Sequence, residues 1–213
     1  VITGGAGFIG SCILSKLNSL LFDKIIIVDD LQSSNKWQNI AKSKFSTYIH
    51  KDKFLPLLSQ EAFKVDAIIH MGAESSTTES NVDYLLENNV EYSKKLFQYC
   101  CRVQCPFIYA SSAAIYGDGS LGFDDDKSKL SQYIPLNPYG FSKKLFDQWV
   151  QDQEDYPPYW FGFRFFNVYG PNEYHKSEMR SIVLKIFQKI SMKEKVKLFK
   201  SHNKNFTDGN QMR

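Results

Sequence analysis

The chain has 213 residues, 43% hydrophobic and 23% charged, with a net charge of +3, which suits the core of one domain and part of a second. So mild a charge excludes the basic footprint of a nucleic-acid binder, and the lysines are scattered except over residues 189–204, which read as a solvated face. No apolar run approaches the roughly 20 residues of a membrane span and no secretory signal is recognisable, so the protein is expected to be cytoplasmic, with neither membrane nor nucleic-acid partners.

The chain enters at Val1 directly into what should be the end of a first strand, and the run Thr3-Gly4-Gly5-Ala6-Gly7-Phe8-Ile9-Gly10 follows. Gly4 permits a tight turn out of the strand, Gly7 lets backbone approach a pyrophosphate, and Gly10 lets the next helix pack closely. The amides at the start of that helix would face the anion. Helix-like residues occupy 11–21, and an apolar strand at 24–28 ends in Asp29 and Asp30, at the distance where an acid that binds ribose hydroxyls is expected.

Residues 31–53 are polar and irregular. A helix is predicted over 54–63, a buried strand over 65–70, and a small-residue loop over 73–78. A second long helix spans 84–101, and a short apolar strand 106–110 follows it. After Asn137-Pro138 a helix runs from 139 to about 153, then an aromatic strand over 159–166 ends at Asn167-Val168-Tyr169-Gly170-Pro171. Strand and helix alternating in this way imply a doubly wound α/β fold, a parallel sheet with helices on both faces. A dinucleotide-binding domain is expected over residues 1–166 and the start of a smaller substrate domain over 167–213, both ends reading as cut. The four cysteines, Cys12, Cys100, Cys101 and Cys105, lack metal-ligand spacing and are expected to be reduced structural thiols, with no metal site. His70 is expected to cap its buried strand structurally.

Parallel sheets bind ligands beyond the carboxyl ends of their strands, which puts weight on Ser111-Ser112, on Tyr139 to Lys143 and on the residues after Asn167. Tyr139 and Lys143 are four apart on a predicted helix and share a face. An ammonium beside the phenol, with the positive charge of an oxidised nicotinamide, would favour the phenolate and make Tyr139 an acid-base group. Ser112 would orient a substrate hydroxyl toward it.

With these residues the chain resembles the extended short-chain dehydrogenase/reductase family, also described as the NAD-dependent epimerase/dehydratase family. The matching stretches are Gly72-Ala73 with Ser75-Ser76-Thr77-Thr78-Glu79, Tyr109 to Ala114, Asn137 to Asp147, and Phe163-Arg164 through Pro171 with His175-Lys176. The serine-threonine block and the His-Lys pair point, within that family, to nucleotide-sugar epimerases acting on ADP-heptose. What the resemblance implies is an isomerase that interconverts ADP-D-glycero- and ADP-L-glycero-D-manno-heptose, by transient oxidation at carbon six with bound NADP, for lipopolysaccharide inner-core synthesis. Tyr139 would serve one face of the carbon and Lys176 the other, because one fixed tyrosine cannot easily reach both. By the same similarity Phe8, Ile9, Met71, Gly72, Ala73, Asn88 and Val168 would line the cofactor, with Lys143 and Lys176 touching it as well. Lys36 and Lys51 would sit at the adenosine end, where two ammonium groups could offset Asp29 and Asp30 and admit a phosphate, favouring NADP with NAD possible. Ser75, Asn167, Glu178, Lys185, Phe199 and Arg213 would contact the substrate, and a homo-oligomer of pentamer type is implied. The chain departs from the pattern at Met71, at Glu74, and at Ser177-Glu178, where the resemblance has glycine followed by a small residue. Two other readings use the same residues: an NAD-dependent sugar 4-epimerase or 4,6-dehydratase, which would not need Lys176, and a non-catalytic NADP-binding sensor or scaffold.

Overall fold

The structure, a computed structural model, describes residues 1–197 together with 200, 201 and 207. Strands β1 (Ile2–Thr3) and β2 (Ile26–Asp29) flank helix α1 (Phe8–Ser19), which starts inside the glycine run because Gly7 already serves as its N-cap. Next come a 3₁₀ turn at Asn35–Asn39, β3 (Thr47–His50), α2 (Lys51–Ser59) and β4 (Ile68–His70). Helices α3 (Val82–Leu86) and α4 (Tyr92–Val103) are joined without a break by a π turn at Glu87–Glu91. The chain continues through β5 (Phe107–Ser112), α5 (Pro138–Gln151), β6 (Trp160–Phe165) and α6 (Ile182–Ser191).

The strands form a six-stranded sheet in the order β3-β2-β1-β4-β5-β6, and every pairing is parallel. The order reverses between β1 and β4, and the crevice at that switch point is where such sheets hold nucleotides. The doubly wound fold expected from the alternation is therefore present.

Two elements differ from the sequence reading. Residues 47–50, placed in an irregular stretch, form β3, with Ile26 opposite Thr47 through Asp29 opposite His50. This edge strand is only partly buried and has no continuous apolar run, so pairing with β2 rather than its own pattern makes it a strand. Helix α6 was not predicted, although Ser181 accepts from the Leu184 amide at 3.1 Å as an N-cap should.

The main core lies between the sheet and α2, α4 and α5: Phe54, Leu96, Phe97, Phe107, Phe146 and Val150 are buried there. Phe97 meets Phe107 and Trp149 edge-on, with ring centres 5.7 and 5.5 Å apart, contacts of about 1 kcal/mol each beyond burial. On the other face Ile2, Leu14 and Ile27 pack under α1. All four cysteines are free thiols. No helix among the described residues is long and apolar enough to cross a membrane.

Candidate active site

A cavity of about 490 Å³ runs along the carboxyl ends of β1, β2 and β4. Its floor is the glycine turn. Gly4 has φ +63°, and a Cβ there would lie 2.6 Å from the Gly72 amide nitrogen, so both the turn and the approach of the two loops require glycine. A Cβ at Gly10 would collide with the Gly4 carbonyl, which fixes how closely α1 approaches the turn. Gly7 caps α1 with no side chain, which keeps the first amides available to a phosphate. The cradle thus fits a dinucleotide, and Gly4, Gly7, Phe8, Ile9 and Gly10 all line it, as do Met71, Gly72, Ala73, Asn88 and Val168.

At the end of β2, Asp29 is buried and its carboxylate is fully engaged. Oδ2 accepts from the Ala6 amide at 2.8 Å, and Oδ1 accepts from the Asp30 amide and from Lys36 Nζ, each at 2.8 Å. Burial pushes the Asp30 carboxyl up, but hydrogen bonds from Gln32 and His50 outweigh it and leave it below its ordinary value. Lys51 Nζ donates to Asn88 Oδ1 at 2.8 Å on the cavity wall. Both asparagines lie in the π turn. Asn88 faces the cavity while Asn89 turns inward, where its amide clasps the Glu74 backbone at 2.9 and 3.0 Å and donates to Ser142 at 3.0 Å.

Ser112, Tyr139 and Lys143 come together at the end of β5 and the start of α5, beyond the wall of this cavity. Asn137 caps α5 by accepting from Gly140 at 2.7 Å and Pro138 occupies its first turn, which sets Tyr139 at the helix entrance. Ser112 Oγ accepts from the Ala114 amide at 3.1 Å and lies near enough to Tyr139 to influence its phenol. Lys143 is buried; Nζ donates to the Ala110 carbonyl at 2.9 Å and lies 6.0 Å from the centre of the Tyr139 ring. Burial lowers the Lys143 amine to about 8, against the opposing pull of Asp147. The Tyr139 phenol is raised above its ordinary value by burial, with Ser112 working the other way.

Lys176 arrives on the loop after β6. Its Nζ stands 5.6 Å from the centre of the Phe8 ring on the cavity wall, and burial lowers its amine while Glu173 opposes. The loop is tied down by Asn39, whose Nδ2 lies 2.9 Å from the Ala6 carbonyl, 3.2 Å from the Asn172 carbonyl and 3.1 Å from His175 Nδ1. Ser177, next to Lys176, has φ +47° and ψ −118°, a conformation suited to glycine.

The substrate residues named from the sequence are not gathered in this way. Ser75 lines the cavity. Asn167 is exposed beyond β6 and outside the cavity wall. Glu178 is turned to solvent and paired with Lys185 at 3.3 Å, and neither lines the cavity. Phe199 and Arg213 lie outside the described residues. His70 is structural, as expected: its ring nitrogens meet Thr3 Oγ1 at 2.6 Å and Ser93 Oγ at 2.8 Å, and burial, with a smaller push from Lys143, lowers it to about 3. Asn39, Asn89 and His175 were not assigned a role from sequence. Only His175 carried a signal, as half of the His-Lys pair.

The sequence profile described as NAD dependent epimerase/dehydratase family matches residues 1–213. The chain belongs to the NAD dependent epimerase/dehydratase family. Within this family it is 46% identical, over its whole length, to the ADP-L-glycero-D-manno-heptose-6-epimerase of Nitratidesulfovibrio vulgaris, spanning 66% of that protein. It is also 46% identical over its whole length to the protein of the same name from Fusobacterium nucleatum, spanning 65% of it. The crystal structure of the Helicobacter pylori ADP-L-glycero-D-manno-heptose-6-epimerase superposes with a TM-score of 0.80 at 30% identity, over 93% of this chain and 64% of that one. The chain thus spans just under two thirds of the length of these epimerase/dehydratase relatives.

Proposed function

We propose that this chain is part of a nucleotide-sugar epimerase that inverts carbon six of an ADP-heptose, converting ADP-D-glycero- to ADP-L-glycero-D-manno-heptose for the inner core of lipopolysaccharide. The observation that carries this reading is the 46% identity, across the full chain, to relatives bearing that name. The second lysine favours it over a 4-epimerase or 4,6-dehydratase. Lys176 stands on the cavity wall, on a different element from Tyr139, where a second acid-base group could exchange the proton of the substrate oxygen when the opposite face of the carbonyl carbon receives the hydride.

A bound nicotinamide nucleotide would supply a reversible hydride acceptor. The glycine turn and the first amides of α1 would hold its pyrophosphate. Ser112 would orient the substrate hydroxyl, and Tyr139 would take its proton. Lys143 would lend positive charge to the phenol. Lys176, its amine lowered by burial, would exchange a proton from the second side. NADP is preferred to NAD in this reading, because Lys36 is paired with Asp29 and Lys51 lies at the same end. Residues 1–166 would form the dinucleotide-binding domain, and 167–213 would begin the substrate domain while lending Val168, His175 and Lys176 to the cofactor cavity. A homo-oligomer is expected on the same grounds as the heptose, and with them a cytoplasmic site of action.

The test is turnover of ADP-D-glycero-D-manno-heptose by the full-length protein as purified, followed by NMR without added cofactor. Formation of the L-glycero epimer supports the reading, and its loss in Lys176→Ala supports the two-sided proton transfer. Full turnover in Lys176→Ala would remove that assignment. No conversion by the unaltered protein, with either nucleotide added, would remove the heptose, and absence of hydride transfer with every nucleotide sugar would favour a sensor.

A further inference from the structure

Glu173 lies three residues before Lys176 and is 2% exposed, although the loop around it faces solvent at Tyr174, Ser177 and Glu178. Its carboxylate accepts three hydrogen bonds. Oε1 accepts from the Gly170 amide at 3.2 Å and from the Ser181 hydroxyl at 2.8 Å, and Oε2 accepts from the Ser181 amide at 2.6 Å. Burial pushes the carboxyl up, but the bonds from Ser181 and Gly170, with Lys176 adding to them, leave it below its ordinary value. It is ionised at neutral pH, as an acceptor facing three donors must be.

These contacts close a ring. Ser181 is the N-cap of α6, and its hydroxyl, while donating to Glu173, accepts from the Leu184 amide at 3.1 Å. One carboxylate thus gathers the two ends of the segment 170–181, and Lys176 lies between them. The Glu173 main chain contributes as well, since its carbonyl accepts from the Lys176 amide at 3.1 Å. The Asn39 contacts, to Asn172 and His175, hold the side of the loop that precedes Lys176, and the Glu173 carboxylate reaches the side that follows it.

We propose that Glu173 is a positioning residue of the active site: its ionised carboxylate closes the 170–181 loop and so holds Lys176 at the cavity wall, over the Phe8 ring. An amide of the same shape cannot replace it. Either orientation of a glutamine would set its NH₂ against a backbone N–H, that of Gly170 or that of Ser181. The consequence for catalysis rests on the acid-base role proposed for Lys176, whereas the tether itself does not.

The experiment compares the unaltered full-length protein with Glu173→Gln in two readouts. In hydrogen exchange, the Lys176 amide keeps its own acceptor, the Glu173 carbonyl, so its rate reports the loop rather than a deleted bond, and it should rise about tenfold. In rapid mixing of the NADP-loaded protein with each ADP-heptose epimer in turn, reduction of the nucleotide should slow about 10- to 100-fold for the epimer that Lys176→Ala also slows, and stay within about twofold for the other, which Tyr139 would serve. A general loosening of the fold would slow both epimers alike. Equal slowing would therefore overturn the proposal, as would an unchanged Lys176 amide. Where Glu173→Gln does not fold, Ser181→Ala, which removes one donor and keeps the carboxylate and both backbone amides, should show the same asymmetry at smaller amplitude, and equal slowing there would overturn it too. If neither epimer reduces the nucleotide in the unaltered protein, or Lys176→Ala does not distinguish them, the reading of Lys176 falls and its amide decides alone. Faster exchange in Glu173→Gln then sustains the tether, and an unchanged rate removes it.

Discussion

Lys36 Nζ meets Asp29 Oδ1 at 2.8 Å, with the lysine 23% exposed and the aspartate 6%. The acid that would ordinarily accept ribose hydroxyls is thus neutralised by a cation within reach of the same end of the cavity. Lys36→Ala should weaken NADP binding at least about tenfold while changing NAD binding little, since a charge-assisted contact to a phosphate is lost only with the former. Fluorescence titration of nucleotide-free, full-length protein measures both constants. Equal losses for the two nucleotides would show that Lys36 does not discriminate between them.

Asn89 is fully buried and its amide serves three bonds, two to Glu74 backbone and one to Ser142. Asn89→Ala would leave the Glu74 amide and carbonyl without these partners, and a loss of about 2–3 kcal/mol in urea unfolding is expected. The loop from Gly72 to Thr78 would loosen with it. A change below about 0.5 kcal/mol would mean that water or another group replaces the amide without cost.

Ser177 holds φ +47° and ψ −118° beside Lys176. Strain of this kind costs about 1–3 kcal/mol in a non-glycine residue, part of which glycine returns as unfolded-chain entropy. Ser177→Gly should therefore raise stability by about 1 kcal/mol, read as an increase in Tm. A fall in Tm would argue that the serine is not strained there.

His70 is neutral in the fold, lowered to about 3 from an ordinary 6.5 mainly by burial. Between those values the unfolded chain binds the proton and the folded chain does not, so stability is complete above 6.5 and falls as pH drops below it, by about 1.4 kcal/mol per unit. His70→Asn should be less stable at pH 7 yet show a shallower decline from pH 6.5 to 5 in urea unfolding. An identical slope in both proteins would assign the acid sensitivity elsewhere.

The glycine turn, Asp29, Ser112, Tyr139 and Lys143 were legible in sequence because each depends on local spacing: a turn that only glycine permits, a strand end, and two residues four apart on a helix. Strand β3 was not, since residues 47–50 become a strand by pairing with β2 and carry little pattern of their own. Asn39 stands 133 residues from Asn172 and 136 from His175, and no local rule brings such residues together. Glu178 and Lys185 were read as substrate contacts, and in the fold they pair with each other at 3.3 Å.

The Asn39 amide has a kinetic consequence. It joins the first loop of the chain, at Ala6, to the loop that carries Lys176, so one side chain latches the two flanks of the nucleotide groove. Opening that latch would loosen the 172–176 segment, which carries His175 and Lys176 on the cavity wall, and so would ease release of a nucleotide held there. Asn39→Ala would then trade labelled nucleotide about tenfold faster, and exchange at the unaltered rate would place the barrier elsewhere. A catalyst that reoxidises its own cofactor at each turnover gains from slow exchange: the nucleotide behaves as a resident part of the protein, and its rate is insensitive to the surrounding nucleotide pool.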